Sequence, residues 1–322
     1  MAGKNVLWRQ RRGGSFAVIV LCLVFIQCAV GQNKEFVLLE HPSEQDSFQL
    51  YHYRINTLDL YKVDYNVELY NVVFPRNERS YERIILFSAL PDFHSKSLWR
   101  EIKDTSILVN VRKVKELENL FMPSLGYHDG MDLKRKFLHE YILVKKSGDT
   151  YFQAKVCLME MFEVKNMTPI IPSPYGLLNL QEQPLSLAAY LKNYTEDTVR
   201  SQSYPVHIFG KEYGVNYKEG WRMWKEYLSR VFVTNTGQSA YQFWTSAASN
   251  IADFPDISRG IERFVYVPGR GIIGGSYDFH FFKHDLRVLD HNPDLLPTNS
   301  LTKEGWNENV LTEKVMMGDF IR

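Results

Sequence analysis

Apolar and polar residues alternate most regularly over residues 61–69, where Tyr61, Val63, Tyr65, Val67 and Leu69 interleave with Lys62, Asp64, Asn66 and Glu68. A period of two with one hydrophilic face predicts an antiparallel strand between core and water. Apolar runs at 84–90 and 107–111 predict neighbouring strands, with the polar stretch 75–79 as the turn between the first two. Two further runs, 141–145 and 150–162, flank Lys146-Ser147-Gly148-Asp149. They predict a hairpin, because Gly148 can take the positive φ of a tight turn. In the second run Cys157 alternates with Tyr151, Gln153 and Lys155, which places it on the more polar face. Val114, Leu117 and Leu120, three apart, predict a short helix.

The pattern changes where Pro169, Pro172, Pro174 and Gly176 fall within eight residues. This marks a connector over 169–183, between a β-rich region at 32–168 and a mixed region at 184–322. Two domains or one compact body both suit this length. Helical spacing recurs beyond the connector. Pro184 precedes Leu185, Ala188, Ala189 and Leu191; Trp221, Trp224, Leu228 and Phe232 follow; then Ser239 leads Phe243, Trp244, Ala247, Ala248 and Ile251. A strand pair at 261–267 and 275–282 surrounds Pro268-Gly269-Arg270-Gly271, and a last helix is expected at 306–317. The fold class is α+β: an antiparallel, β-rich first half and a helix-containing second half with a further hairpin.

The N-terminus changes the picture most. Lys4, Arg9, Arg11 and Arg12 lead into an unbroken apolar run at 16–26 and then Ala29-Val30-Gly31. Basic, apolar and small residues in that order are the features of a secretory signal peptide, so residues 1–31 are expected to be removed and the mature chain to begin at Gln32. The alternative is a retained membrane anchor. Residues 15–30 are too short for it, since a spanning helix needs about 20 residues.

Cleavage removes Cys22 and Cys28 and leaves Cys157 as the last cysteine, so no disulfide can form within the chain. The remaining 291 of the 322 residues are enough to bury a core without one. Cys157 is then a free, inert thiol, with a disulfide-linked dimer or a nucleophile as alternatives. The same cleavage leaves 34 basic against 37 acidic residues, a net charge of −3 that gives no general attraction to nucleic acid. Two sequons, Asn166-Met167-Thr168 and Asn193-Tyr194-Thr195, suit an exported chain, and Asn193 is the preferred glycosylation site of the two.

Candidate chemistry is sparse. Residues 269–274, Gly-Arg-Gly-Ile-Ile-Gly, match the dinucleotide-binding spacing but run into a strand pattern, so they read as hairpin glycines. The following strand would bring Asp278 and His280 about 7 Å apart on one face. His284, Asp285 and His291 would then close over them from the next loop. Asp278, His280 and His284 are therefore the candidate catalytic residues, and with His291 the candidate ligands of a divalent metal. The bland reading is a polar strand face, and no cofactor is expected. Lys134-Arg135-Lys136 reads as a solvated basic cluster. Nucleophile-elbow and phosphate-loop motifs are missing from the sequence.

These observations lead to a secreted, non-enzymatic glycoprotein that binds an extracellular protein or glycan. The alternative is an exported or lysosomal hydrolase with its site around 278–291.

Overall fold

The computed structural model describes residues 35–43, 46–76, 81–93, 95–121, 137–138, 141–166, 175–195, 225–246, 260–278, 280–281, 301 and 303–321, all within one compact unit, Glu35–Arg322. The fold is β-rich α+β, with three sheets and few helices. The first sheet runs β5 (Trp99–Glu101), β9 (Thr150–Ala154), β8 (Tyr141–Ser147), β1 (Glu35–Leu39), β6 (Arg112–Lys113). Here β1 is parallel to both its neighbours, while β8, β9 and β5 are antiparallel.

The second sheet is the largest. Its order is β11 (Gly176–Asn179), β10 (Val156–Lys165), β4 (Glu82–Leu90), β3 (Asn66–Phe74), β2 (Gln49–Asn56) and β17 (Asp319–Ile321), with β7 (Phe137–Leu138) also on β10. A third, antiparallel sheet runs β12 (Lys225–Val233), β13 (Ser239–Ser246), β14 (Arg263–Val267), β15 (Gly271–Gly275), β16 (Met316–Met317). Three α-helices accompany them among the described residues: α1 (Leu58–Tyr61), α2 (Leu187–Thr195) and α3 (Lys303–Leu311).

The second sheet is the middle layer, because its two faces feed different cores. Val67, Leu69, Val73, Ile84, Leu86 and Phe162 pack with Phe243, Phe264 and Ile272 of the third sheet. Tyr70, Val72, Phe74, Ile85, Phe87 and Met161 pack with Val37, Tyr141 and Leu143 of the first. Successive strand residues point to opposite faces, so a strand covered on both sides buries both sets of side chains, and polar ones among them such as Glu68 and Asn71 of β3 have to be hydrogen-bonded. Every residue of β3 after Asn66 is accordingly buried.

The expectation at 61–69 holds at Lys62, Asp64 and Asn66, which are exposed, but Glu68 on the same polar face is buried. The strand also starts later. Leu58–Tyr61 is a helical turn closed by Lys62 at φ 60°, and the Thr57 hydroxyl donates to Val63 O (2.6 Å) while accepting from Tyr65 N (3.2 Å). Residues 107–111 are not a strand either. Thr105–Asn110 forms a 3-10 helix, which the Asp104 carboxylate caps by accepting from Ser106 N.

The two central helices expected in the second half are strands where they are described: 225–233 is β12 and 239–246 is β13. The apolar spacing that resembles a helix arises because both faces of β13 are covered. Gln242, Phe243, Trp244 and Thr245 are consecutive and all buried. Aromatic and β-branched residues fill four of the nine positions of β12 and four of the eight of β13, and favour the strand. The remainders, 221–224 and 247–251, lie outside the described residues.

Other boundaries shift by packing. The run at 150–162 divides at Lys155, with β9 joining the first sheet and β10 the second. The last helix stops at Leu311, and Met316–Met317 becomes β16. The hairpin at 146–149, with Gly148 at φ 59°, and the 3-10 helix Val114–Phe121 stand where the spacing places them, whereas helix α2 begins at Leu187, beyond Pro184, and buries Leu187 and Tyr190 while Ala188 and Ala189 are exposed. Much of the connector, 167–174, lies outside the described residues, but one core cluster takes side chains from both sides of it.

Candidate functional site

The sequence directs attention first to Asp278 and His280. The chain leaves β15 after Gly275, and Asp278, His280 and Phe281 lie in a helical turn in which Phe281 N donates to Tyr277 O (3.1 Å). The two residues therefore do not share a strand face, which corrects the geometry expected for them. Asp278 is fully buried and its carboxylate pairs with Arg263, whose Nη1 and Nη2 both donate to it. Tyr61 Oη donates to the same carboxylate (2.8 Å) and accepts from Tyr277 N (2.6 Å). Burial, followed by the Asp278 charge, pushes the Tyr61 phenol well above its ordinary range.

This arrangement is a clamp between β14, α1 and the helical turn. Arg263 Nε also holds Lys314 O (3.0 Å), which fastens the segment before β16. His280 is buried 3.3 Å from Pro91 O and packs against Phe93. His284 and His291 lie outside the described residues. Among the described residues, no group of three or more His, Cys, Asp or Glu side chains is placed to hold a metal ion.

A second polar cluster has more open geometry, and its members went unnoticed in the sequence apart from the hydrophilic alternation that contains Glu68. Glu68 on β3 is paired directly across the sheet with Arg54 on β2, and Tyr70 with His52. These four side chains point toward the first sheet, where Trp99 of β5 and Lys145 of β8 meet them. Glu68 Oε2 accepts from Tyr70 Oη (2.6 Å), Trp99 Nε1 (2.9 Å) and Lys145 Nζ (3.4 Å), and Oε1 accepts from Arg54 Nη2 (3.3 Å). His52 Nε2 lies 3.6 Å from Oε2. Its ring is stacked on Tyr70 with centroids 4.1 Å apart, and Lys145 Nζ sits 3.8 Å over the Trp99 ring.

Exposure divides the cluster into a floor and a rim. The Glu68 side chain is 6% exposed, against 20% for His52, 31% for Lys145 and 48% for Arg54. Burial alone would raise the Glu68 pKa, but contacts from His52 and Tyr70 and the Lys145 charge reverse that and hold the carboxyl far below its ordinary range. Burial lowers the Lys145 pKa despite the attraction of Glu68. A carboxylate kept ionised inside the protein is a poor proton acceptor near neutrality but a strong organiser of donors.

No family model, curated protein or solved structure matches this chain.

Among the other singled-out residues, Cys157 lies in the same row of the second sheet as Glu68, with Ala89 of β4 as the register partner between them. Cys157 packs against the core beside the first sheet, and burial pushes its thiol up to about 12. A thiol so rarely ionised is a weak nucleophile. Asn166 is exposed just after β10 ends, whereas Asn193 falls within helix α2. The glycines of the 269–274 pattern form the β14–β15 hairpin, with Gly269 at φ 70° and Gly271 at φ 77°. Residues 1–34, which include the leader, and Lys134, Arg135 and Lys136 lie outside the described residues. No helix among the described residues is long and apolar enough to cross a membrane.

Proposed function

We propose that this chain is a secreted glycoprotein that acts by binding an extracellular macromolecule, with the rim around Glu68 as its recognition surface. One observation carries the reading. A buried, ionised carboxylate draws donors from strands of two sheets and holds them in fixed geometry, with Arg54 and Lys145 still accessible at the edge. Pre-ordered polar groups beside aromatic rings are what a binding site needs, since ordering them in advance lowers the entropic cost of association. The hydrolase alternative has less to draw on, because the Asp278 carboxylate is taken up by Arg263 and Tyr61.

The test is binding to a defined panel of extracellular glycans and proteins by protein purified from culture medium. An Arg54→Ala/Lys145→Ala variant with an unchanged circular dichroism spectrum should lose at least one interaction that the native protein makes. Full retention of every interaction by that variant removes the reading. N-terminal sequencing of the same preparation is expected to begin at Gln32, and mobility on gels should increase after enzymatic removal of N-linked glycans.

A further inference from the structure

We infer that His52, Arg54 and Lys145 form a subsite for one carboxylate group of an acidic sugar. The inference rests on reading the Glu68 rim as a recognition surface, and begins from the number of donors. A carboxylate offers about four lone-pair positions, two on each oxygen. On Oε2 those are met by Tyr70 at 2.6 Å and Trp99 at 2.9 Å, so Lys145 at 3.4 Å and His52 at 3.6 Å stand further off. His52 Nε2 is shielded from solvent and has no hydrogen-bond partner. Lys145 carries three N–H donors and Arg54 five, more than one glutamate can absorb. Arg54 and Lys145 are 48% and 31% exposed, and their surplus would be satisfied by a second carboxylate beside the His52 ring.

Charge limits this to one acidic group. Asp319 of β17 is the register partner of Arg54, so Glu68, Arg54 and Asp319 form one row across the sheet. The two positive charges of Arg54 and Lys145 then face the two negative ones of Glu68 and Asp319. With a mature net charge of −3, the protein exerts no long-range pull on a densely anionic polymer. Recognition is short-ranged, through hydrogen bonds to a single carboxylate beside the Trp99 ring. A peptide is disfavoured as the source, because β17 already pairs with His52, Tyr53 and Arg54 and blocks strand addition to β2 at this position.

The experiment is calorimetric titration of the full-length mature protein with an oligosaccharide of alternating uronic acid and N-acetylhexosamine units, compared with the same oligosaccharide after reduction of its carboxyl groups. The native protein should bind the acidic form saturably and the reduced form about tenfold more weakly. Lys145→Gln should cost about tenfold, and Lys145→Arg should restore most of the loss. Asp319→Asn should tighten binding about twofold by removing the competing charge. Thermal melting of each variant separates lost binding from lost folding. Equal affinity for the two oligosaccharides overturns the carboxylate subsite while leaving a recognition surface in place. No binding of either, or binding unaffected by Lys145→Gln in a folded variant, overturns the subsite. Lys145-dependent binding of a tetraglutamate peptide in place of the oligosaccharide overturns the assignment to a sugar.

Discussion

Two buried carboxylates, Glu68 and Asp278, are treated differently by their surroundings. Asp278 sits among rigid partners with no opening to water, and replacing it by Asn leaves the Arg263 guanidinium charged in the interior. Unfolding in denaturant should show Asp278→Asn to be less stable by about 3–5 kcal/mol, since losing one partner of a buried ion pair strands the other. Glu68→Gln should cost less, about 1–3 kcal/mol, because Arg54 and Lys145 reach solvent and can be rehydrated. The pH dependence of that loss is also set. The folded pKa of Glu68 lies below its ordinary value of 4.5, so its contribution is complete above that value and disappears as acid protonates the folded state. Melting temperature should therefore fall less steeply below about pH 4.5 in Glu68→Gln than in the native protein. An equally steep fall would place the acid sensitivity elsewhere.

Between elements, the joint of the second and third sheets depends on a backbone-like contact made by a side chain. Asn71 of β3 accepts from Ile272 N (2.7 Å) and donates to Ile272 O (2.9 Å), which ties β15 to the middle layer. Gly271 stands beside it at φ 77°, and a Cβ there would lie 2.5 Å from Asn71 Oδ1. Gly148, at φ 59° in the β8–β9 hairpin, has nothing within 4 Å of such a Cβ. Gly148→Ala should cost about 1 kcal/mol, the strain of a left-handed alanine, while Gly271→Ala should cost more than about 2 kcal/mol by disturbing the Asn71 pair as well. Denaturant midpoints of the two variants measure the difference. Equal midpoints would mean that Asn71 gives way freely.

For the molecule as a whole, a three-layer arrangement predicts an unusual mutational pattern. Leu86 and Phe87 are neighbours on β4 and both fully buried, one in each core. In a sheet with one wet face, truncating adjacent residues gives one costly and one mild effect. Here Leu86→Ala and Phe87→Ala should each cost about 2–5 kcal/mol. Measured unfolding free energies decide this, and a mild effect at either position would mean that one outer layer packs loosely on the middle sheet.

Elements specified by neighbours in sequence were legible in advance. The Gly148 hairpin needs only a residue that tolerates positive φ, the 3-10 helix Val114–Phe121 needs Val114 and Leu117 three apart, and β14 needs a short apolar run beside glycine. The β-rich α+β class follows from such local signals. Strand and helix became confusable at β13, because a strand buried on both faces loses its period of two, and only the presence of a covering layer on each side determines that it is buried so. The site was legible to the extent that Glu68 appeared as one polar residue in an alternating strand. His52, Arg54, Trp99 and Lys145 lie on three other strands, up to 93 residues apart in sequence. Their convergence results from register and layer stacking, which join residues through long-range pairing that no local pattern encodes.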